Sequence, residues 1–281
     1  MNDLNLQPKD TKFIITRITD NVLTVMMNQP DKLNGWTEGM MNAFKAAFNK
    51  ANTNDSVKAI IFTGVGQYFS AGVNLGGTFK AMHPKKMHQF IVEHNQILFE
   101  TFLDCKKPIL VAVNGPAIGA SVTSATLCDG IIASENATFL TPFSALGITP
   151  EGCSSIHFER IMGKENAQRM LGAEGWKPTA DEALEAGLVQ WVAPKEQLLE
   201  KAQSIAKEWA DKGIKRSFLG GSQLEELKQV NARESVELAD AFFSSDFLRG
   251  QMKFLWSKNK KAPASVFFLL LALKPVWSRM L

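Results

Sequence analysis

The chain has 281 residues, of which 45% are hydrophobic and 21% charged, and a formal net charge of +3. That is the composition of a globular protein with enough apolar residues for a sizeable core. Acidic and basic residues are interspersed, which argues against a nucleic-acid binder, where basic residues concentrate on one face. Cys105, Cys128 and Cys153 have no CxxC spacing and an odd count, which suits no disulfide framework. His83, His88, His94 and His157 form no metal-ligand signature, so no metal is expected.

The first residues, with Asp3 and Asp10, resemble neither a secretory signal nor an Arg-rich transit peptide. Phe13–Ile18 and Val22–Asn28 read as a hairpin turning at Asp20-Asn21. Val57–Thr63, Ile109–Val113 and Ile131–Ser134 are compact apolar runs, suited to strands covered on both faces. Gly-rich turns and helical patterns lie between them, so the class is α/β. Thr179 and Glu182 have capping-box spacing and start a short helix closed by Gly187. Leu198, Leu199, Ala202, Ile205, Ala206 and Trp209 give an amphipathic helix over 196–211, ended by Gly213. The texture change sets a boundary near 195: a core over 1–195, and a helical region over 196–281 for site closure and oligomerisation. The apolar run Ala264–Leu273 is far short of the ~20 residues that span a bilayer, so no membrane span is expected. Ser278-Arg279-Met280-Leu281 only approximates a peroxisomal address, because Arg279 stands where a small residue belongs.

Three segments carry chemistry. Ser70-Ala71-Gly72-Val73-Asn74-Leu75 follows a strand, and its small residues let backbone amides approach a ligand. A plain turn explains this stretch, taken alone, equally well. Val113-Asn114-Gly115-Pro116-Ala117-Ile118-Gly119-Ala120-Ser121 is again strand, turn and helix start, where free amides favour a developing oxyanion. In Thr149-Pro150-Glu151-Gly152-Cys153, Thr149 suits an N-cap, Pro150 the first helical position and Glu151 the first turn. By itself, Glu151 reads as complementing the helix dipole.

In this order and spacing the three segments resemble the crotonase (enoyl-CoA hydratase/isomerase) superfamily. Met27-Asn28-Gln29-Pro30-Asp31-Lys32-Leu33-Asn34 is similar to its early Leu-Asn-Arg-Pro box, and Asp181-Glu182-Ala183 with Gly187-Leu188-Val189 to its later Glu-Ala-x-x-x-Gly-Leu-Val segment. The resemblance covers about residues 12 to 262. It implies a spiral of ββα units with a C-terminal helical region, an acyl-CoA substrate, no cofactor beyond the coenzyme A of that substrate, and a homotrimer. It also implies β-oxidation in a peroxisome or mitochondrion. By position, the oxyanion amides are those of Val73 and Ala120, with Ser70, Ala71, Gly72, Asn74, Gly119 and Phe143 in the substrate site. Asn74 stands where the family commonly has Asp. Lys258, in a basic run with Lys260 and Lys261, is a candidate contact for the coenzyme A phosphates, though a solvated basic face explains it as well.

The two glutamates that hydratases use would fall at 123 and 143, and here these are Thr123 and Phe143. Neither exchanges a proton as a carboxylate does, so addition of water is not expected. A glutamate after Thr-Pro and before Gly-Cys-Ser-Ser resembles the Δ3,Δ2-enoyl-CoA isomerases of the peroxisomal type, which makes Glu151 the proton shuttle. Two alternatives stay open: a non-catalytic relative that binds acyl-CoA or a protein, and another enolate chemistry such as dienoyl isomerisation or thioester hydrolysis. If backbone must approach a thioester closely, Val at Gly72 or Gly119 should cost more turnover than stability.

Overall fold

The computed structural model describes residues 3–73 and 82–280; Asn74 and the terminal Leu281 lie outside the described residues. Strands β1 (Ile14–Thr19) and β2 (Val22–Met27) form the expected hairpin. Asp20 and Asn21 both take positive φ, 52° and 61°, the left-handed pair that a two-residue turn needs. Strands β3 (Ala59–Gly64), β4 (Ile109–Val113), β6 (Gly130–Ser134) and β8 (Trp191–Ala193) then add in parallel, giving the order β1-β2-β3-β4-β6-β8. The short β5 (Ala117–Ile118) and β7 (Phe139–Leu140) pair separately.

Apart from Thr63, whose buried hydroxyl donates to the Ala112 carbonyl at 2.7 Å, β3 and β4 carry no polar side chain, in keeping with a sheet covered on both faces. Ile60, Phe62, Ile109, Val111 and Val113 face one layer, where helix α1 (Glu38–Thr53, capped by Thr37) brings Phe44 and Phe48. Trp36, Phe44, Phe48, Phe62 and Phe102 pack as an aromatic cluster there, with ring centres 5.1–6.3 Å apart. Ala59, Ile61, Leu110 and Ala112 face the other layer. This second face is closed by Leu198, Ala202 and Ala206, which lie on the amphipathic helix Leu198–Lys212.

The remaining helices are α2 (Pro84–Leu103), α3 (Ala120–Thr126), α4 (Phe143–Leu146), α5 (Ser154–Leu171), α6 (Ala180–Glu185), α7 (Leu198–Lys212), α8 (Leu224–Phe242), α9 (Ser245–Ser257), α10 (Lys261–Ala272) and α11 (Lys274–Trp277). Thr179 and Glu182 complete the capping box of α6. Helices α2 and α8 lie side by side, tied by Asn95 Nδ2 to Ser235 Oγ at 3.1 Å and Asn231 Nδ2 to the Gln96 carbonyl at 3.0 Å. A helical region therefore does follow the sheet, although its first member, α7, is a layer of the sheet itself. No described helix is long and apolar enough to cross a membrane. Val266, Phe268, Leu269 and Val276 on α10 and α11 are each more than half exposed.

Candidate active site

The first turn is fastened by the early Asn-Gln-Pro box. Asn34, fully buried, donates through Nδ2 to the carbonyls of Val65 and Tyr68, both at 2.9 Å, and accepts the Gln29 amide at 2.9 Å. The Leu33 carbonyl accepts the Ala71 amide at 2.9 Å. Ser70 turns its hydroxyl inward, donating to the Asn34 carbonyl at 2.8 Å and accepting the Gly72 amide at 3.0 Å.

The second turn is laid directly on the first. Backbone bonds run both ways across the contact: the Phe69 amide donates to the Pro116 carbonyl at 3.1 Å, and the Ile118 amide to the Ser70 carbonyl at 3.0 Å. The approach is so close that a side chain at Gly72, where φ is +77°, would sit 2.4 Å from the Ile118 carbonyl and 3.9 Å from the Ala120 nitrogen. Gly119 is different: at φ 60° and ψ −127°, a Cβ there would meet nothing within 4 Å among the described residues beyond its chain neighbours. Among the described residues, the amides of Val73 and Ala120 have no acceptor. Ala120 is only 1% exposed and opens α3, and an orphaned donor in so buried a residue is rare in folded proteins.

The third segment departs from the sequence reading. Helix α5 starts at Ser154, so Thr149 is not its N-cap and Glu151 is not in its first turn. Gly152 and Cys153 both take left-handed conformations, φ 64° and 65°, which no α-helix can run through. Thr149 Oγ1, far from capping anything, is buried without a partner among the described residues. Glu151 therefore sits in a sharp turn ahead of the helix, its carbonyl taken by the Ser154 hydroxyl at 2.7 Å. The dipole explanation of this acid does not apply.

That turn is wedged against α3. A side chain at Gly152 would lie 2.4 Å from Phe99 and 2.7 Å from the Thr123 hydroxyl. Thr123 stands one helical turn from Ala120, whose carbonyl its hydroxyl reaches at 3.3 Å. Position 123, one of the two that would hold a hydratase glutamate, thus faces the turn of Glu151 with a buried threonine. Phe143, at the other position, is fully buried at the start of α4.

Glu151 is 8% exposed, and burial pushes its pKa up to about 8, with the negative charge of Glu234 adding to the rise. Glu234, on α8, was not singled out in the sequence; its own pKa is raised to about 7 by burial. Its carboxylate accepts the Cys153 amide at 2.6 Å and the Ser155 amide at 3.0 Å. Its signal was a glutamate on an apolar stripe: Leu227, Val230, Glu234 and Leu238 follow one another at helical spacing and all are buried.

Lys258 is exposed at the end of α9. Phe247, where α9 meets Gly147, lies about 16 Å back along the helix axis at 1.5 Å per residue. A cleft of about 600 Å³, lined by Asp104, Lys106, Arg216, Ser217 and Gln223, contains neither Glu151, Glu234 nor any residue of the two glycine turns. Its Arg216 is already paired with Asp129 at 2.7 Å. Among the described residues no three His, Cys, Asp or Glu side chains cluster to hold a metal ion.

The chain is similar to known proteins over most of its length. The chain is 34% identical over 263 residues to enoyl-CoA delta isomerase 2 of Homo sapiens, covering 90% of this chain and 66% of that protein. It therefore spans just under two-thirds of that relative's length. Identity to the peroxisomal enoyl-CoA delta isomerase 3 of Mus musculus is 31% over 260 residues, covering 90% of this chain and 81% of that one. The solved structure of an enoyl-CoA hydratase/isomerase from Pseudoalteromonas atlantica T6c superposes with a TM-score of 0.74 at 28% identity, covering 87% of this chain and 97% of that one. The family described as enoyl-CoA hydratase/isomerase matches residues 17–253, so the chain belongs to that family of the crotonase superfamily.

Proposed function

We propose that this protein is a Δ3,Δ2-enoyl-CoA isomerase that moves the double bond of a 3-enoyl-CoA to the trans-2 position, with Glu151 as its only proton carrier. The observation that carries the reading is a buried carboxyl of raised pKa on a turn wedged against α3 at Thr123, one helical turn from Ala120, whose amide has no acceptor among the described residues. The relatives named as enoyl-CoA delta isomerases support it.

A proton next to a thioester is only weakly acidic, so its removal needs the enolate oxygen to be stabilised as charge develops. The amides of Val73 and Ala120 supply two donors, and one such donor typically contributes ~3 kcal/mol. Ionised Glu151 takes the C2 proton. The electrons of the C2–H bond pass into the thioester, giving a dienolate delocalised to C4. Glu151 then returns the proton at C4, the double bond settles between C2 and C3, and the carboxylate is regenerated. One residue suffices because both carbons lie on one face of the planar intermediate. Thr123 and Phe143 provide no second carboxylate to activate water, and the buried phenyl ring keeps the surroundings dry.

The test is to incubate the protein with a 3-enoyl-CoA and with a 2-enoyl-CoA side by side. Isomerisation is expected to exceed hydration by at least ~100-fold, the lower end of what a positioned acid or base contributes. Efficient formation of 3-hydroxyacyl-CoA from the 2-enoyl substrate would overturn the reading, and absence of both reactions would favour a binding role.

The exposed apolar face of α10 and α11 supports a second element of the proposal, a homotrimer in which these helices pack on a neighbour or back on the core. Light scattering at micromolar concentration should give three times the 31.0 kDa chain mass, and a monomer mass would reject the assembly.

A further inference from the structure

We propose that Glu234 is the positioning residue for Glu151: its carboxylate clamps the turn that carries the base and sets a second negative charge beside it. This rests on the isomerase reading of Glu151. The clamp is visible in the backbone. Gly152 and Cys153 are consecutive left-handed residues, and for cysteine that conformation costs of order 1 kcal/mol or more unless its surroundings impose it. Glu234 imposes it by accepting the amides on both sides of the bend, Cys153 at 2.6 Å and Ser155 at 3.0 Å. Those amides open α5, and capping them is ordinarily the task of a local Ser, Thr, Asp or Asn. Here the cap comes from another helix. Cys153 Sγ adds a bond to the Leu227 carbonyl at 3.1 Å, so α8 grips the turn at two points.

A structural cap would not need to be ionised and buried beside a second carboxyl, yet Glu234 is both fully buried and close enough to raise the proton affinity of Glu151. The groups bearing on it are few. Glu151 and the Cys153 thiol, itself pushed up by burial and by Glu234, face it from the turn. Arg233 precedes it on α8, donates to Ser155 Oγ at 3.0 Å, and partly offsets its charge. Glu226 and Arg160 pair with each other further along α8 and α5. Helix α2, packed along α8, brings the neutral Asn95 and the Gln96 carbonyl.

The sign of the effect is fixed. Glu151 must be ionised to take a proton, so kcat/KM rises with pH through its pKa in the free enzyme, about 8. A neighbouring negative charge raises that pKa, and removing it moves the rising limb to lower pH. Glu234→Gln keeps the shape but replaces one accepting oxygen with an amino group that faces an amide. It is expected to lower the plateau rate about 10-fold or more and to shift the limb down by roughly one pH unit. A reduced rate with an unmoved limb would show a structural cap only and overturn the proposal, as would an unchanged profile. Should Glu234→Gln fail to fold, the reciprocal measurement decides. In Glu151→Gln, the carboxyl carbon resonance of Glu234 should titrate at lower pH than in the wild type, and an unchanged midpoint overturns the proposal. Full turnover by Glu151→Gln would instead sink the isomerase reading itself, so the two failures are distinguishable.

Discussion

Glu151→Gln is expected to lower turnover of a 3-enoyl-CoA by roughly 10³–10⁴-fold, the upper part of the range for general acid–base catalysis, and at the same time to make the protein more stable in alkaline solution. The two effects have one cause. Burial, with Glu234 nearby, raises the carboxyl's pKa from 4.5 to about 8, which means the fold disfavours the ionised form. Relative to the unfolded chain, the protonated carboxyl leaves stability intact below pH 4.5, and stability is lost as pH rises from there through the folded pKa near 8. Glutamine carries no such penalty. Its advantage should be absent at pH 4, grow through neutrality, and reach a few kcal/mol by pH 9. Thermal melts of both proteins at pH 4.5 and pH 9 measure it, alongside acyl-CoA affinity, which should stay within a few-fold. Equal melting temperatures at pH 9 would show that Glu151 is solvated, and wild-type turnover would move the base elsewhere.

Valine at the positive-φ glycines of the two turns proposed to hold the oxyanion, Gly72 and Gly119, should behave in opposite ways. The sequence alone predicts that both substitutions cost mainly turnover. The geometry separates them. At Gly72 a side chain would collide with the Ile118 carbonyl at 2.4 Å, and backbone cannot step aside where the two turns are bonded through Ser70. Gly72→Val is therefore expected to lose the fold around both turns, with activity and melting temperature falling together. At Gly119 no atom of the described residues beyond its chain neighbours stands within 4 Å of the new Cβ, so the left-handed backbone is the main resistance, at about 1–3 kcal/mol. The open space beside it adjoins the Ala120 amide. Gly119→Val should cost about 10²–10³-fold in kcat, the worth of one misaligned oxyanion donor, while the melting temperature drops by only several degrees. A Gly119 variant that loses stability and activity in proportion would return this turn to the status of plain scaffold.

Much of the frame could be read from local chemistry. Asp20-Asn21 tolerates the left-handed pair a tight hairpin needs, the apolar runs Ala59–Phe62 and Ile109–Val113 match a sheet buried on both faces, and Thr179 with Glu182 caps α6 as their spacing requires. Thr149-Pro150-Glu151 misled for an equally local reason. It has the composition of a helix start, but the two residues that follow take left-handed geometry, imposed by a carboxylate 81 positions away. No window of sequence contains that contact. Glu234 was hidden because an isolated acid in a Glu-rich helix looks solvent-facing, and only its place on the stripe of Leu227, Val230 and Leu238 marks it as buried. The meeting of the Gly72 and Gly119 turns is similarly long-range, since it depends on β3 and β4 lying side by side.

The clamp on the Glu151 turn has a consequence for how the molecule comes to life. Five of the six strands of the main sheet, the aromatic layer and both glycine turns are built from residues before 145, whereas β8 and the helix α7 that covers the second face come later. The turn bearing the base is released later, and its geometry is held by α8, which emerges some 80 residues after it. A chain halted before α8 would have the architecture of the enzyme and an acid free to wander. The geometry of that turn is thus completed only by the last third of the chain, after most of the sheet has been made.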